Sequence, residues 1–180
     1  MSAWWLILVG ALCIAAAWFY TGGKNPYGYR GLGEVSVFVF FGLVAVLGTE
    51  FTQTGSLSWV GLACAIGIGS VSSAVNLANN LRDIPTDAAT GKITLAVRLG
   101  DFRTRIVWQI LSIMPALASI FIAFWHPWAL VGLLIVPLWV RASEPIRMHK
   151  KGKELIPVLG LTGKMMLAWS VITALALALS

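Results

Sequence analysis

The sequence predicts an all-α membrane protein, a polytopic bundle of about six transmembrane helices. Three observations lead there. Hydrophobic residues make up 58% of the chain and charged ones only 11%, more apolar surface than a water-soluble domain of this size can hide. That apolarity falls into six runs, most of them near the roughly 20 residues that cross a hydrocarbon core. Lys and Arg gather in alternate connections between the runs, as a positive-inside topology requires.

The first run, 4–20, is bracketed by Trp4, Trp5, Trp18 and Tyr20, an interfacial aromatic belt. No Lys or Arg precedes it, so it reads as a retained spanning helix rather than a signal peptide. The connection that follows, 21–34, carries Lys24 and Arg30 among five glycines and Pro26, residues that make tight turns. The second run is 35–53. A neutral link without Lys or Arg leads to the third, 59–81, which ends in a dense polar stretch.

The next connection, 82–105, is basic: Arg82, Lys92, Arg98, Arg103 and Arg105. The fourth run is 106–125, followed by the neutral His126-Pro127. The fifth, 128–141, is short and contains Pro137. A third basic connection carries Arg141, Arg147, Lys150, Lys151 and Lys153 before the last run, 155–179. Lys164 in that run is read as snorkelling to the interface. Cys13 and Cys64 lie inside apolar runs and read as small buried apolar residues, not as a disulfide or a metal site.

The alternation assigns the three basic loops to the cytoplasm and both termini to the outside of a cell membrane. The net charge of +6 is thereby accounted for by topology, and no nucleic-acid partner is expected. No repeat or linker divides the chain, which reads as one membrane domain. A transporter is disfavoured, because the polar residues sit at one membrane face and not at midplane sites in two corresponding halves.

The chemistry is expected in the polar stretch. Asn79, Asp83 and Asp87 are spaced by four and on a continuous helix would share one face. Pro85 disfavours helix at Ile84, so the helix is expected to end near Asp83, with Asp87 reaching the same point from a loop. Charge at a membrane-length helix end is costly, and such residues usually mark function. Two carboxylates beside the amides of Asn79 and Asn80 suit Mg²⁺, which takes one or two protein carboxylates with water and substrate phosphate. Lys92 and Arg98 follow as a diphosphate clamp would. Arg103 and Arg105 read as ordinary solvated cations of a basic loop. In the first basic connection, Tyr20, Lys24 and Arg30 offer hydrogen bonds, charge and stacking to an aromatic anion.

The run Asn79-Asn80-Leu81-Arg82-Asp83-Ile84-Pro85-Thr86-Asp87, with Gly91-Lys92 and Thr94-Leu95-Ala96-Val97-Arg98-Leu99-Gly100 behind it, resembles the second aspartate-rich motif of UbiA-type intramembrane prenyltransferases. With the Tyr20–Glu34 loop, the pattern is similar to the naphthoate polyprenyltransferases of menaquinone synthesis. The resemblance implies a nine-helix fold of which this chain matches the last six helices. It also implies transfer of a polyprenyl group from its diphosphate to 1,4-dihydroxy-2-naphthoate, with loss of CO₂, in a lipid bilayer. Asp83 and Asp87 would hold Mg²⁺, Asn79 and Asn80 would support its shell, and Lys92 and Arg98 would hold the diphosphate. Tyr20, Lys24 and Arg30 would contact acceptor or diphosphate.

Family members carry a first aspartate-rich motif as well, and the remaining acids, Glu34, Glu50, Asp101, Glu144 and Glu154, form no second cluster of that kind. The Asn79–Asp87 cluster is therefore expected to be half of a two-part cradle; pairing with a separate N-terminal half belongs to one of the alternatives. The alternatives are a non-catalytic fragment or split-gene half, and a relative that prenylates another aromatic such as a hydroxybenzoate or homogentisate.

Overall fold

The computed structural model describes residues 4–180. It is helical throughout, with no strand among the described residues. The helices are α1 (Trp5–Thr21), α2 (Gly33–Thr54), α3 (Trp59–Arg82), α4 (Ile84–Ala89), α5 (Leu95–Ile122), α6 (Pro127–Arg147) and α7 (Gly152–Ala178). The last six include five that are long and apolar enough to cross a membrane; α1, with 17 residues, is shorter. At 1.5 Å per residue α1 still reaches about 26 Å, at the short limit for a span.

Local chemistry sets most boundaries. Backbone N–H of Gly22 closes α1 by donating to Trp18 O at 2.9 Å. Gly55, at φ 72°, ends α2, and Ser58 caps α3 by accepting from Gly61 N at 2.9 Å. Thr94 caps α5 by accepting from Val97 N at 3.3 Å. α5 thus begins eleven residues earlier than the apolar run suggests, and it bends where Gly100 adopts φ 72° and ψ 171°. α6 is also longer than the run 128–141. It opens with the 3₁₀ stretch Pro127–Ile135 and continues as an α-helix to Arg147, with Pro137 in the first turn of the α part, where its missing N–H costs little.

α3 is the central helix and packs against α2, α5 and α7. Its contact with α2 is backbone on backbone: a Cβ added to Gly42 would lie 2.6 Å from both Ala65 O and Gly69 Cα. Small residues are what permit such approach between membrane helices. α2 is wound as a π-helix over Phe38–Leu47 at this contact. Two apolar clusters fill the bundle. One joins Leu77, Leu81, Trp108, Ile146 and Leu155 at the basic end. The other joins Val71, Ile122, Ile135, Met165 and Trp169 toward the opposite end, where Trp169 Nε1 donates to Ser119 Oγ at 2.8 Å. No residue of α1 is buried, and Lys164 stands exposed on α7.

The basic end is also pinned by a buried cation. Arg105 is 3% exposed, pairs with Asp101 at 2.8 Å, and donates to Ile146 O at 3.0 Å and Lys150 O at 2.7 Å. The sequence reading of Arg105 as a solvated loop cation is corrected here. Its charge is neutralised inside the protein, and it donates to Ile146 O at the end of α6 and to Lys150 O just beyond it. Arg103, by contrast, is exposed.

Candidate functional site

The end of α1, the start of α2, the end of α3, α4 and the start of α5 meet at the basic end of the bundle. Four contacts bring the first polar connection against the end of α3 and the connection that follows it. Ile93 N donates to Tyr29 O at 3.0 Å, and Lys92 Nζ lies 5.6 Å from the Tyr29 ring centroid. Arg98 lies against Gly31, where a Cβ would sit 3.0 Å from Nε. The fourth is the contact of Asn80 with Glu34: its Nδ2 donates to Oε1 at 2.7 Å.

Asp83 terminates α3. Arg82 Nε donates to its Oδ1 and Arg82 Nη2 to its Oδ2, both at 2.7 Å. These bonds hold the Asp83 carboxyl below the usual carboxylate range, against the opposing effect of partial burial. Arg82 Nη2 also donates to Asn79 Oδ1 at 2.8 Å.

Asp87 departs from expectation in one respect. It lies not on a loop but on the short helix α4, with Pro85 in the first turn. Proline there gives up an N–H that has no intrahelical acceptor and supplies a helical φ, so the residue that stops α3 also starts α4. Asp87 is buried at 7% exposure. Lys92 Nζ donates to its Oδ1 at 3.2 Å. The same ammonium is 3.1 Å from Oδ2, but off the direction of a hydrogen bond, and Oδ2 is left without one.

Glu34 is the component that sequence reasoning missed. It is 4% exposed and accepts on Oε1 from Asn80 and, at 3.3 Å, from Asn76. Its backbone carbonyl accepts from Ser73 Oγ at 2.8 Å. Tyr20 closes the group: its hydroxyl and Asn76 Nδ2 both stand 3.2 Å from where a Cβ on Gly33 would lie, so a side chain there would require them to shift by a few tenths of an ångström. The available signal was positional, Asn76 one helical turn before Asn80, and an acid at the first turn of an apolar span.

The sequence-derived residues therefore assemble unevenly. Asn79, Asp83, Asn80, Asp87, Lys92 and Tyr20 gather at one end, with Arg98 at their edge. Lys24 and Arg30 are exposed on the first connection and make no ion pair among the described residues. Asp83 and Asp87 each face a different cation, and no group of three His, Cys, Asp or Glu side chains is present among the described residues. The donors that are present, carboxylate and amide oxygens, are hard, and Asp87 Oδ2 is buried without a donor. That chemistry fits Mg²⁺, which needs only one or two protein carboxylates when a phosphate supplies the rest. Beside Tyr20 runs an apolar cavity of about 580 Å³ between α1 and α2, with Tyr27 and Ser36 at the same end and Phe40, Phe41 and Val44 beyond.

Residues 1–154 match the UbiA prenyltransferase family. The chain is 56% identical over 178 residues to a protein of Mycobacterium tuberculosis named 1,4-dihydroxy-2-naphthoate octaprenyltransferase, covering 99% of this chain and 61% of that one. A protein of the same name from Haemophilus influenzae is 40% identical over 174 residues, 94% of this chain and 56% of its own length. The UbiA prenyltransferase domain-containing protein 1 homolog of Drosophila melanogaster is 32% identical over 153 residues, 84% of this chain and 42% of its own length. The chain thus spans about 60% of the length of the bacterial relatives it matches. No solved structure matches it.

Proposed function

Because the chain belongs to the UbiA prenyltransferase family, we propose that it provides the diphosphate-handling end of an enzyme that prenylates 1,4-dihydroxy-2-naphthoate in menaquinone synthesis. The observation that carries this reading is the meeting of two acids, their cations and a buried amide cluster at one end of an apolar bundle. Relatives named 1,4-dihydroxy-2-naphthoate octaprenyltransferase at up to 56% identity support the choice of acceptor.

In this reading Asp83 and Asp87 hold Mg²⁺, with Asn79 and Asn80 supporting its shell. The bound ion supplies charge neutralisation that makes the diphosphate a better leaving group. Lys92 and Arg98 face the oxygens that gain charge as the allylic C–O bond breaks, and the electron pair leaves with the diphosphate. The cavity beside Tyr20 suits the polyprenyl chain, and its aromatic faces suit an allylic cation. Tyr20, Lys24 and Arg30 orient the acceptor. Its ring carbon forms the new C–C bond, and loss of CO₂ from that carbon restores aromaticity.

The Asn79–Asp87 cluster serves as one half of a two-part cradle, the other half coming from a segment that carries the family's first aspartate-rich motif. The basic end faces the cytoplasm, where soluble acceptor and cation reach it, with the bundle in the cell membrane.

The test is an assay in lipid vesicles with the complete protein that bears this chain, Mg²⁺, a radiolabelled polyprenyl diphosphate and the naphthoate. The expected result is a prenylated product with one CO₂ released per transfer. Product from hydroxybenzoate or homogentisate instead reassigns the acceptor. No product from any of the three overturns the reading.

A further inference from the structure

Asp83 and Asn79 are read above as cation ligands, yet one guanidinium already occupies their donor atoms. Arg82 takes both oxygens of Asp83 and Oδ1 of Asn79 through Nε and Nη2, while Nη1 makes no hydrogen bond among the described residues. The Arg82 and Asp83 side chains are 28% and 27% exposed, so the pair is open to ligands. A planar guanidinium on a carboxylate is a strong, directional contact. A divalent cation cannot take the same oxygens while it stays, because the two positive charges repel at such range.

Asp87 is arranged differently. Its partner Lys92 is a compact point charge, and one carboxylate oxygen has no hydrogen bond. Asp87 is therefore held by fewer hydrogen bonds than Asp83, although the Lys92 ammonium stands beside both of its oxygens.

We propose that Arg82 is a positioning residue that keeps the Asp83–Asn79 donors closed until cation and diphosphate arrive together. This rests on the reading of Asp83 as a cation ligand. A cation arriving alone displaces the guanidinium into a position without an anionic partner. A cation arriving with diphosphate gives it one, and Arg82 exchanges the Asp83 carboxylate for diphosphate oxygens. Each ligand then strengthens the binding of the other, and the coupling is reciprocal. Arg82 is also adjacent to the ligand it guards, so the exchange needs a change of side-chain rotamer and no movement of α3.

The test uses Mn²⁺ as a spectroscopic probe, titrated into the complete protein in nanodiscs of neutral lipid and followed by electron paramagnetic resonance. Titrations are run with and without inorganic pyrophosphate, correcting for the Mn²⁺–pyrophosphate complex. In the unsubstituted protein pyrophosphate is expected to tighten Mn²⁺ binding by about tenfold or more, within the usual range of coupling between sites. Arg82→Gln is expected to bind Mn²⁺ alone at least about fivefold more tightly than the unsubstituted protein, with most of the coupling lost. Arg82→Lys, whose ammonium cannot span both oxygens, is expected to fall between the two, and it carries the test if Arg82→Gln fails to fold.

A residue that merely ends the helix would leave the coupling unchanged. Mn²⁺ binding to Arg82→Gln that is no tighter than in the unsubstituted protein, with full coupling, overturns the proposal and leaves Asp83 as a ligand. Absence of Mn²⁺ binding in the unsubstituted protein with pyrophosphate, or binding untouched by Asp83→Asn, overturns the ligand reading itself and the proposal with it.

Discussion

Asn80 and Glu34 join α3 to α2 through a hydrogen bond of 2.7 Å between residues 46 apart in sequence. Both are buried, and Asn76 adds a second donor to the same carboxylate oxygen at 3.3 Å. Burial makes this pairing asymmetric. Loss of Glu34 strands the buried Asn80 amide and removes an acceptor from the half-buried Asn76, which costs about 1–3 kcal/mol. Glu34→Ala is therefore expected to lower the thermal unfolding midpoint in detergent markedly. Glu34→Gln, which keeps an acceptor oxygen, is expected to recover most of it.

Asp83→Ala in the complete protein is expected to reduce prenyl transfer by at least about 100-fold, the scale set by losing one electrostatic stabiliser of a reaction centre. Membrane insertion and the unfolding midpoint should change little, because Asp83 is partly exposed at a helix end. A rate near that of the unsubstituted protein would remove Asp83 from the site.

The Asp83 carboxyl is held below its ordinary range by the Arg82 hydrogen bonds. A carboxyl whose folded value is depressed stabilises the fold at every pH above its unfolded value, about 3.9. That contribution fades as pH falls through the lower, folded value. The Asp83 carboxyl resonance in ¹³C-labelled protein is thus expected to titrate below the ordinary aspartate range, and Arg82→Gln should shift its midpoint upward. An unshifted midpoint would show that the pairing is absent in solution.

Arg105→Ala removes a cation that is satisfied by Asp101 and two backbone carbonyls. The loss of these partly buried charged hydrogen bonds sets an expected cost of about 1–3 kcal/mol, read as a fall in the unfolding midpoint. Arg103→Ala, exposed two positions earlier, should stay within about 0.5 kcal/mol.

Gly42→Ala forces a methyl group against Ala65 O and Gly69 Cα. Neither is the end of a flexible side chain, so α2 and α3 must separate, with an overpacking cost of about 1–3 kcal/mol. A disulfide cross-linking series between the two helices would register the separation.

Legibility in the sequence followed the range of the forces involved. The five long spans were readable because lipid burial acts residue by residue. The start of α5 was not, since Asp101, Arg103 and Arg105 look like a solvated loop until Arg105 is seen to bond carbonyls some 40 positions away. Pro85 signalled a break correctly, but its role as a helix starter depended on what followed it. In the site, Asn79, Asp83, Asp87 and Lys92 stood out as polarity at a membrane-length helix end. Glu34 did not, because a lone acid acquires meaning only from the amides it meets across the bundle.

The hold on α1 is sparse and lopsided. Tyr27 ties its basic end by donating to Ala16 O at 2.8 Å and meeting Ser36 Oγ at 3.1 Å, and Trp5 touches Phe51 edge-on at the far end. Between these anchors lies the 580 Å³ cavity and no buried side chain. Amide hydrogen exchange should therefore divide the molecule into two cooperative units, α3 with α5–α7 exchanging last and α1 first. In the prenyl-transfer reading proposed above, a hairpin clamped at its ends and loose along its middle would widen sideways to admit the polyprenyl chain from the bilayer while the polar end stays assembled.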